Sequence, residues 1–249
     1  MAQFLIGIAG QTASVTSLFE STKDYCRKYL TEGPPDFSVT VNREDLAFEQ
    51  EALRQEALEE GIRVRVFTDP FLERAAIQRK CAEFLFDRNV LMTHGSTVAV
   101  DGKAYLFTAK CGTGKSTHTR LWRQVFGDRA VMVNDDKPFL KITEAGVLAC
   151  GSPWSGKHGL DTNITVPLQG ICILDRGKEN QILSISHQEA LPMLLHQSYC
   201  PLAPEKKSRF AAQVRLLAEK TPLWHMYCNR DPSAAEVSRK AMSGTGFCI

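Results

Sequence analysis

The sequence predicts a mixed α/β protein with largely antiparallel sheets, in which a phosphate-binding-loop core follows a small N-terminal α+β portion. Three observations predict this. An apolar run at 105–107 leads through Thr108-Ala109-Lys110 into the turn Cys111-Gly112-Thr113-Gly114, and Lys115-Ser116-Thr117 opens a helical stretch through Trp122 and Phe126. That is the strand–loop–helix context a phosphate loop needs. Asp101-Gly102 lies between two strand-like runs and signals a two-residue hairpin, so the strand entering the loop is the second arm of an antiparallel pair. A short strand at 130–133 then ends in Asn134-Asp135-Asp136.

The N-terminal portion, 1–88, is read element by element. Residues 4–8 form a strand, and 17–30 a helix ended by Gly33-Pro34-Pro35. Residues 37–41 alternate as a strand does. Asn42 caps a charged helix through Glu60 that Gly61 stops, and its 49–60 run reads as a solvated face rather than a partner-binding one. Ile62, Val64 and Val66 alternate with Arg63 and Arg65 as a half-exposed strand. Asp69 as cap and Pro70 at the first helical position start a helix to Phe86.

The core, 89–249, continues after Asp136 with a hairpin of strands at 138–143 and 147–150. The stretch 151–163 is long, rich in Gly and Ser, and carries Lys157 and His158. It reads as a lid or substrate clamp, the alternative being a surface connection anchored by Trp154. Strands at 168–175 and 181–185 suggest a further pair. Ser186 to Glu189 is a capping box opening a helix toward Tyr199. A helix at 205–220, a strand at 223–228 and a helix after Asp231-Pro232 complete the chain, with Trp224 and Met226 as core residues.

Composition narrows the function classes. Of 249 residues, 43% are hydrophobic and 23% charged, enough for a core and too ordered a mixture for wholesale disorder. The net charge of +2 comes without a basic block, so nucleic acid is not an expected partner. Eight scattered cysteines with no C-x-x-C argue against a zinc site or disulfide scaffold and for a reducing compartment. The N-terminus lacks the basic region of an export signal, and no apolar segment is long enough to span a membrane. A cytoplasmic protein with no membrane partner is expected.

The chemistry concentrates at the loop. Backbone N–H groups from Gly112 to Lys115 can converge on phosphate oxygens, and the helix N-terminus adds roughly half a positive charge. Cys111 and Thr117 flank this nucleotide-binding stretch. Lys115, expected to be exposed at the loop–helix junction, reaches the β/γ-phosphates of ATP, and the Ser116 hydroxyl ligates Mg²⁺. Ala109 stands where such loops usually carry their first glycine, which is acceptable if that position does not need a positive φ. Asp135 and Asp136, at a strand end just after the loop helix, are placed to hold Mg²⁺ and to accept a proton. Lys157 and His158 are candidates for a second phosphate or substrate contact. His118, His187, His196 and His225 read as structural or surface residues, and Ser152 and Ser155 have no neighbouring base.

Together these residues resemble the HPr kinase/phosphorylase and ATP-dependent phosphoenolpyruvate carboxykinase superfamily, most strongly over about residues 90 to 142, in the manner of a small stand-alone HPr-kinase-like protein. The resemblance implies a histidine on the preceding strand, and His94 lies 21 positions before Lys115. It further implies that Asp135 joins Ser116 in holding the metal, with Asp136 nearer the acceptor. Thr117 stands where HPr kinases carry glutamate, and their downstream arginine–glutamate signature has no match. The carboxykinases' arginine-rich substrate site is also missing, so decarboxylation is not expected. The first reading is thus an ATP- and Mg²⁺-dependent kinase phosphorylating a hydroxyl, serine foremost, of a peptide, protein or small molecule. The alternatives are a nucleotide-binding regulatory or assembly protein with little turnover, and phosphorylase or pyrophosphate-dependent chemistry. Assembly into a homo-oligomer is left open.

Overall fold

The computed structural model describes residues 1–59, 61 and 63–244. The chain divides into two compact units, 1–85 and 86–249. In the first, β1 (Ala2–Ile8) and β2 (Gln11–Ser17) form an antiparallel hairpin. Ala9 and Gly10, with φ of 52° and 77°, supply the two left-handed residues that such a tight turn needs. Phe4, Ile6, Ala13 and Val15 fill its buried face. The single helix expected over 17–30 is replaced by the end of β2, a short α1 (Glu20–Tyr25) and a 3-10 turn at Arg27–Tyr29. The α-helix stops at Cys26, whose φ of −85° and ψ of 6° leave helical geometry.

Next, β3 (Phe37–Thr40) adds parallel to β2, and α2 (Arg43–Glu59) and α3 (Asp69–Phe86) follow. Asn42 caps α2 reciprocally: its Oδ1 accepts from the Asp45 N–H at 2.9 Å, and its own N–H donates to Asp45 Oδ2 at 3.0 Å. The 49–60 run is not uniformly solvated. Glu49 is buried and paired to Arg79 of α3 at 2.5 Å, while Lys80 holds Asp45 at 2.7 Å. Residues 63–68 do not form the expected strand; Val66 is 92% exposed, and the segment is tied to α2 through Gln50 instead. Glu60 and Ile62, which entered those expectations, and Cys248 lie outside the described residues. Asp69 is the first residue of α3, one position later than a cap, and Pro70 is its second.

The second unit is a mixed sheet with helices on both faces. Its strands are β4 (Val90–Met92), β5 (Ser96–Val100) and β6 (Lys103–Thr108); then, after α4 (Lys115–Phe126), β7 (Ala130–Asn134), β8 (Phe139–Thr143), β9 (Gly146–Cys150), β10 (Thr165–Arg176) and β11 (Gln181–Ser184). Helices α5 (His187–Gln197) and α6 (Lys207–Lys220), strand β12 (Leu223–Cys228) and α7 (Ser233–Met242) complete it. The order is β4-β8-β9-β10-β6-β5-β7, with β12 on β10 and β11 on β12. Pairing is antiparallel except where β10 runs parallel to β6 and to β12. The expected pairing of the strands at 168–175 and 181–185 does not occur; β11 pairs with β12 instead. Asp101 and Gly102, with φ of 53° and 74°, close the predicted β5–β6 hairpin.

Because the central strands are covered on both faces, alternate side chains feed two cores. Ala99, Leu106 and Ile171 pack with Leu194 of α5 and Val214 and Leu217 of α6. Val98, Tyr105, Phe107 and Met226 pack instead with Trp122 of α4 and Ala234 and Met242 of α7. The α4 side fixes the helix that begins at the loop. The Trp122 indole N–H donates to Ser238 Oγ of α7 at 2.9 Å, and the buried His118 ring shares that hydroxyl at 3.0 Å.

Burial alone pushes the His118 pKa down from 6.5 to about 3. The folded value lies below the unfolded one, so the unfolded chain binds the extra proton as pH falls from 6.5. Stability should drop there by about 1.4 kcal/mol per pH unit from this group. Urea titrations from pH 7 to pH 4 should show that slope reduced in His118→Phe; an unchanged slope would refute the assignment.

Candidate functional site

The loop between β6 and α4 takes its shape from two glycines. Gly112 and Gly114 have φ of 73° and 126°, values that L side chains rarely adopt. Ala109, fully buried, is not among the positive-φ residues, so the alanine meets the condition set for it. Lys115 departs from expectation. It is only 9% exposed, and its ammonium donates to the Ala109 carbonyl at 3.1 Å, curling back under the loop. The Arg176 guanidinium, arriving from the end of β10, donates to the Gly112 carbonyl at 2.7 Å and pins the outer edge of the turn.

The carboxylates lie beside the start of α4. Asp135 is 7% exposed, and its Oδ1 accepts from Ser96 Oγ at 2.6 Å. That hydroxyl also meets Thr119 Oγ1 of α4 at 2.7 Å, so a β5 serine couples the carboxylate to the loop helix. Burial raises the Asp135 pKa, opposed by the neighbouring hydroxyls of Ser96 and Ser116. Asp136 behaves in the opposite way. Burial acts to raise its pKa, but the His94 hydrogen bond and the charges of Lys137 and Lys115 outweigh it, and the net shift is downward. His94 Nε2 stands 3.3 Å from Asp136 Oδ1. The His94 pKa is lowered, chiefly by burial, despite the carboxylate. At neutral pH the pair is therefore a neutral imidazole donating to a carboxylate.

Asn134 holds this arrangement together. It is fully buried; its Oδ1 accepts from the backbone N–H groups of Asp136 at 2.8 Å and Lys137 at 2.6 Å. Its Nδ2 donates to the Ser152 carbonyl at 2.8 Å, to Ser152 Oγ at 2.9 Å and to the Trp154 carbonyl at 3.3 Å. The 151–163 stretch thus divides. Residues 151–155 are buried, Trp154 packs edge-on against Phe139, and Ser155 donates to Asp161 at 2.7 Å. Residues 156–159 are exposed. Gly156, at φ 69°, brings this turn against Asp136: a Cβ there would lie 3.2 Å from the Asp136 Cβ. His158 joins Asp135 on the wall of a cleft, while Lys157 stands exposed on the same turn.

Two clefts flank the loop. One, of about 460 Å³, is lined by Gly112, Gly114, Thr117, Arg176, Asn229 and Arg230. The other, of about 320 Å³, is lined by Ser116, Arg120, Arg123, Asp135 and His158. The structure therefore brings Lys115, Ser116, Asp135, Asp136 and His94 to one end of the sheet. Ser96, Thr119, Asn134 and Arg176 were not singled out from sequence. Ser96 had a weak signal, a hydroxyl two residues after His94; Arg176 had none.

No known protein family matches this chain, and no curated protein matches it in sequence. Among solved structures, one titled as the Hpr(Ser) kinase/phosphatase from Coxiella burnetii is similar at a TM-score of 0.37 and 12% identity, covering 61% of this chain and 99% of that one. The similarity is distant. Among the described residues no helix is long and apolar enough to cross a membrane.

Proposed function

We propose that this chain is an ATP- and Mg²⁺-dependent kinase that transfers the γ-phosphoryl group to a hydroxyl. The observation that carries the reading is the convergence of a glycine-built loop at a helix N-terminus with two carboxylates of unlike environment. The triphosphate lies along the loop, its oxygens taken by N–H groups from Gly112 to Lys115. The 460 Å³ cleft on the Arg176 side has room for the nucleoside.

The donor set fits a hard divalent cation. Mg²⁺ in phosphoryl-transfer sites commonly takes only one or two carboxylates plus substrate phosphates and water. Ser116 and Asp135, adjacent on one cleft wall, are such a set. Among the described residues no group of three or more His, Cys, Asp or Glu forms an all-protein cage, in keeping with that mode. When bound, Mg²⁺ would neutralise charge on the transferring phosphoryl group. Asp136, kept ionised by its neighbours, accepts the proton of the attacking hydroxyl. His94 donates to Asp136 Oδ1 and fixes its orientation. The acceptor oxygen bonds to the γ-phosphorus, the bond to the bridging oxygen breaks, and ADP leaves.

The Lys115→Ala variant tests the loop assignment. Its ammonium must leave the Ala109 carbonyl to reach a phosphate, so the protein should bind Mg-ATP at least tenfold more weakly. Titration calorimetry measures this, and circular dichroism reports whether the fold persists. Wild-type affinity in a folded variant would overturn the loop assignment.

A further inference from the structure

We propose that the 320 Å³ cleft along α4 selects a small hydroxylated acceptor carrying a carboxylate or phosphoryl group, through Arg120 and Arg123; this rests on the kinase reading above. Ser116, Arg120 and Arg123 are spaced i, i+4 and i+7 and so share one face of the helix. With a rise of about 1.5 Å per residue, the two arginines sit roughly 6 and 10 Å further along the axis than Ser116. All three line one cleft together with Asp135 and His158.

Arg120 and Arg123 are exposed, and among the described residues neither guanidinium makes an ion pair or hydrogen bond. Within the same unit Arg129, Arg209 and Arg239 each have an aspartate partner. Like charges one turn apart on a helix repel, so an unpartnered pair facing a cleft is an unfavourable arrangement that an anion between them relieves. Guanidinium groups suit this because their planar forks grip carboxylate and phosphate oxygens two at a time.

The acid that also lines the cleft, Asp135, lies by Ser116 at the start of α4 and is already engaged by Ser96. The cleft is therefore polarised, with carboxylate and loop at one end and two guanidiniums at the other. An acceptor with its hydroxyl at the Ser116–Asp135 end and an anionic group beyond it matches that polarity. The volume lies at the lower end of the range for small-molecule sites, which favours a compact hydroxy acid or phosphate ester over a protein segment.

The test saturates the full chain with Mg-AMP-PNP, so that the loop is filled, and titrates D-glycerate, glycerol 2-phosphate and glycerol by calorimetry. At least one anion should bind while neutral glycerol does not. Arg120→Ala and Arg123→Ala should each weaken that anion at least tenfold with AMP-PNP affinity within twofold of wild type. Binding of glycerate alone assigns a carboxylate, and of glycerol 2-phosphate alone a phosphoryl group. The proposal is overturned if neither anion binds, if the variants bind it like wild type, or if only an acidic serine peptide binds. Failure of AMP-PNP to bind wild type would instead remove the kinase reading itself.

Discussion

Replacing Asp136 by Asn is expected to lower kcat by about 10²–10⁴-fold while Mg-ATP affinity stays nearly unchanged. The carboxylate is the ionised partner of His94 Nε2 at 3.3 Å, and burial alone would have pushed its pKa up rather than down. A group held anionic at the end of β7, with its neighbouring imidazole neutral, is suited to taking a proton as a hydroxyl attacks. Asp135→Asn should act differently. That side chain is buried between Ser96 and the first turn of α4, so its loss should raise the Mg²⁺ concentration needed, with activity partly recovered at high metal. The two carboxylates are adjacent and titrate together, so a kcat–pH profile reports the pair. Mg-ATP affinity and kcat measured for both variants decide the matter. Should both turn over like wild type, the aspartates are a turn device and the kinase reading falls.

The second large effect is expected at a residue that touches no substrate. Asn134→Ala should destabilise the protein by about 3 kcal/mol, because it strands several buried polar groups at once. The N–H groups of Asp136 and Lys137 lose their acceptor, and the Ser152 and Trp154 carbonyls lose a donor. Once that turn relaxes, Asp136 moves relative to His94. The variant should then lose at least tenfold in kcat under conditions where it remains folded, with nucleotide affinity little changed. Urea denaturation alongside steady-state kinetics separates the two losses. Full activity in a folded but weakened variant would make Asn134 purely structural.

How much of this was legible beforehand depended on whether the relevant information was local. The Asp101-Gly102 turn, the Asn42 and Ser186 caps and the strand–loop–helix around Lys115 are set by the conformational preferences of a few consecutive residues. The all-buried β5 read correctly as a strand because a run with β-branched Thr97, Val98 and Val100 followed by Asp-Gly has few other uses. By contrast, β2 was lost because QTASVTS carries neither a strong alternation nor β-branched bulk throughout. The pattern at 62–66 did alternate, but nothing in a sequence says whether a neighbouring strand has a free edge to receive it.

By itself, then, the sequence determined the layout of the loop: which glycines turn the chain, which lysine and serine open α4, and which carboxylates follow β7. Only the tertiary structure decided where those groups point and what holds them. Lys115 folds back onto Ala109, a choice made by burial and by the need of an ammonium for a partner. Arg176 reaches Gly112 across 64 positions because β10 lies parallel to β6, and Asn134 gathers residues up to 20 positions away. Strand pairing places these contacts, and the choice of partner strand is not written in side-chain periodicity: a period of two fixes which face a residue takes, never which strand it meets.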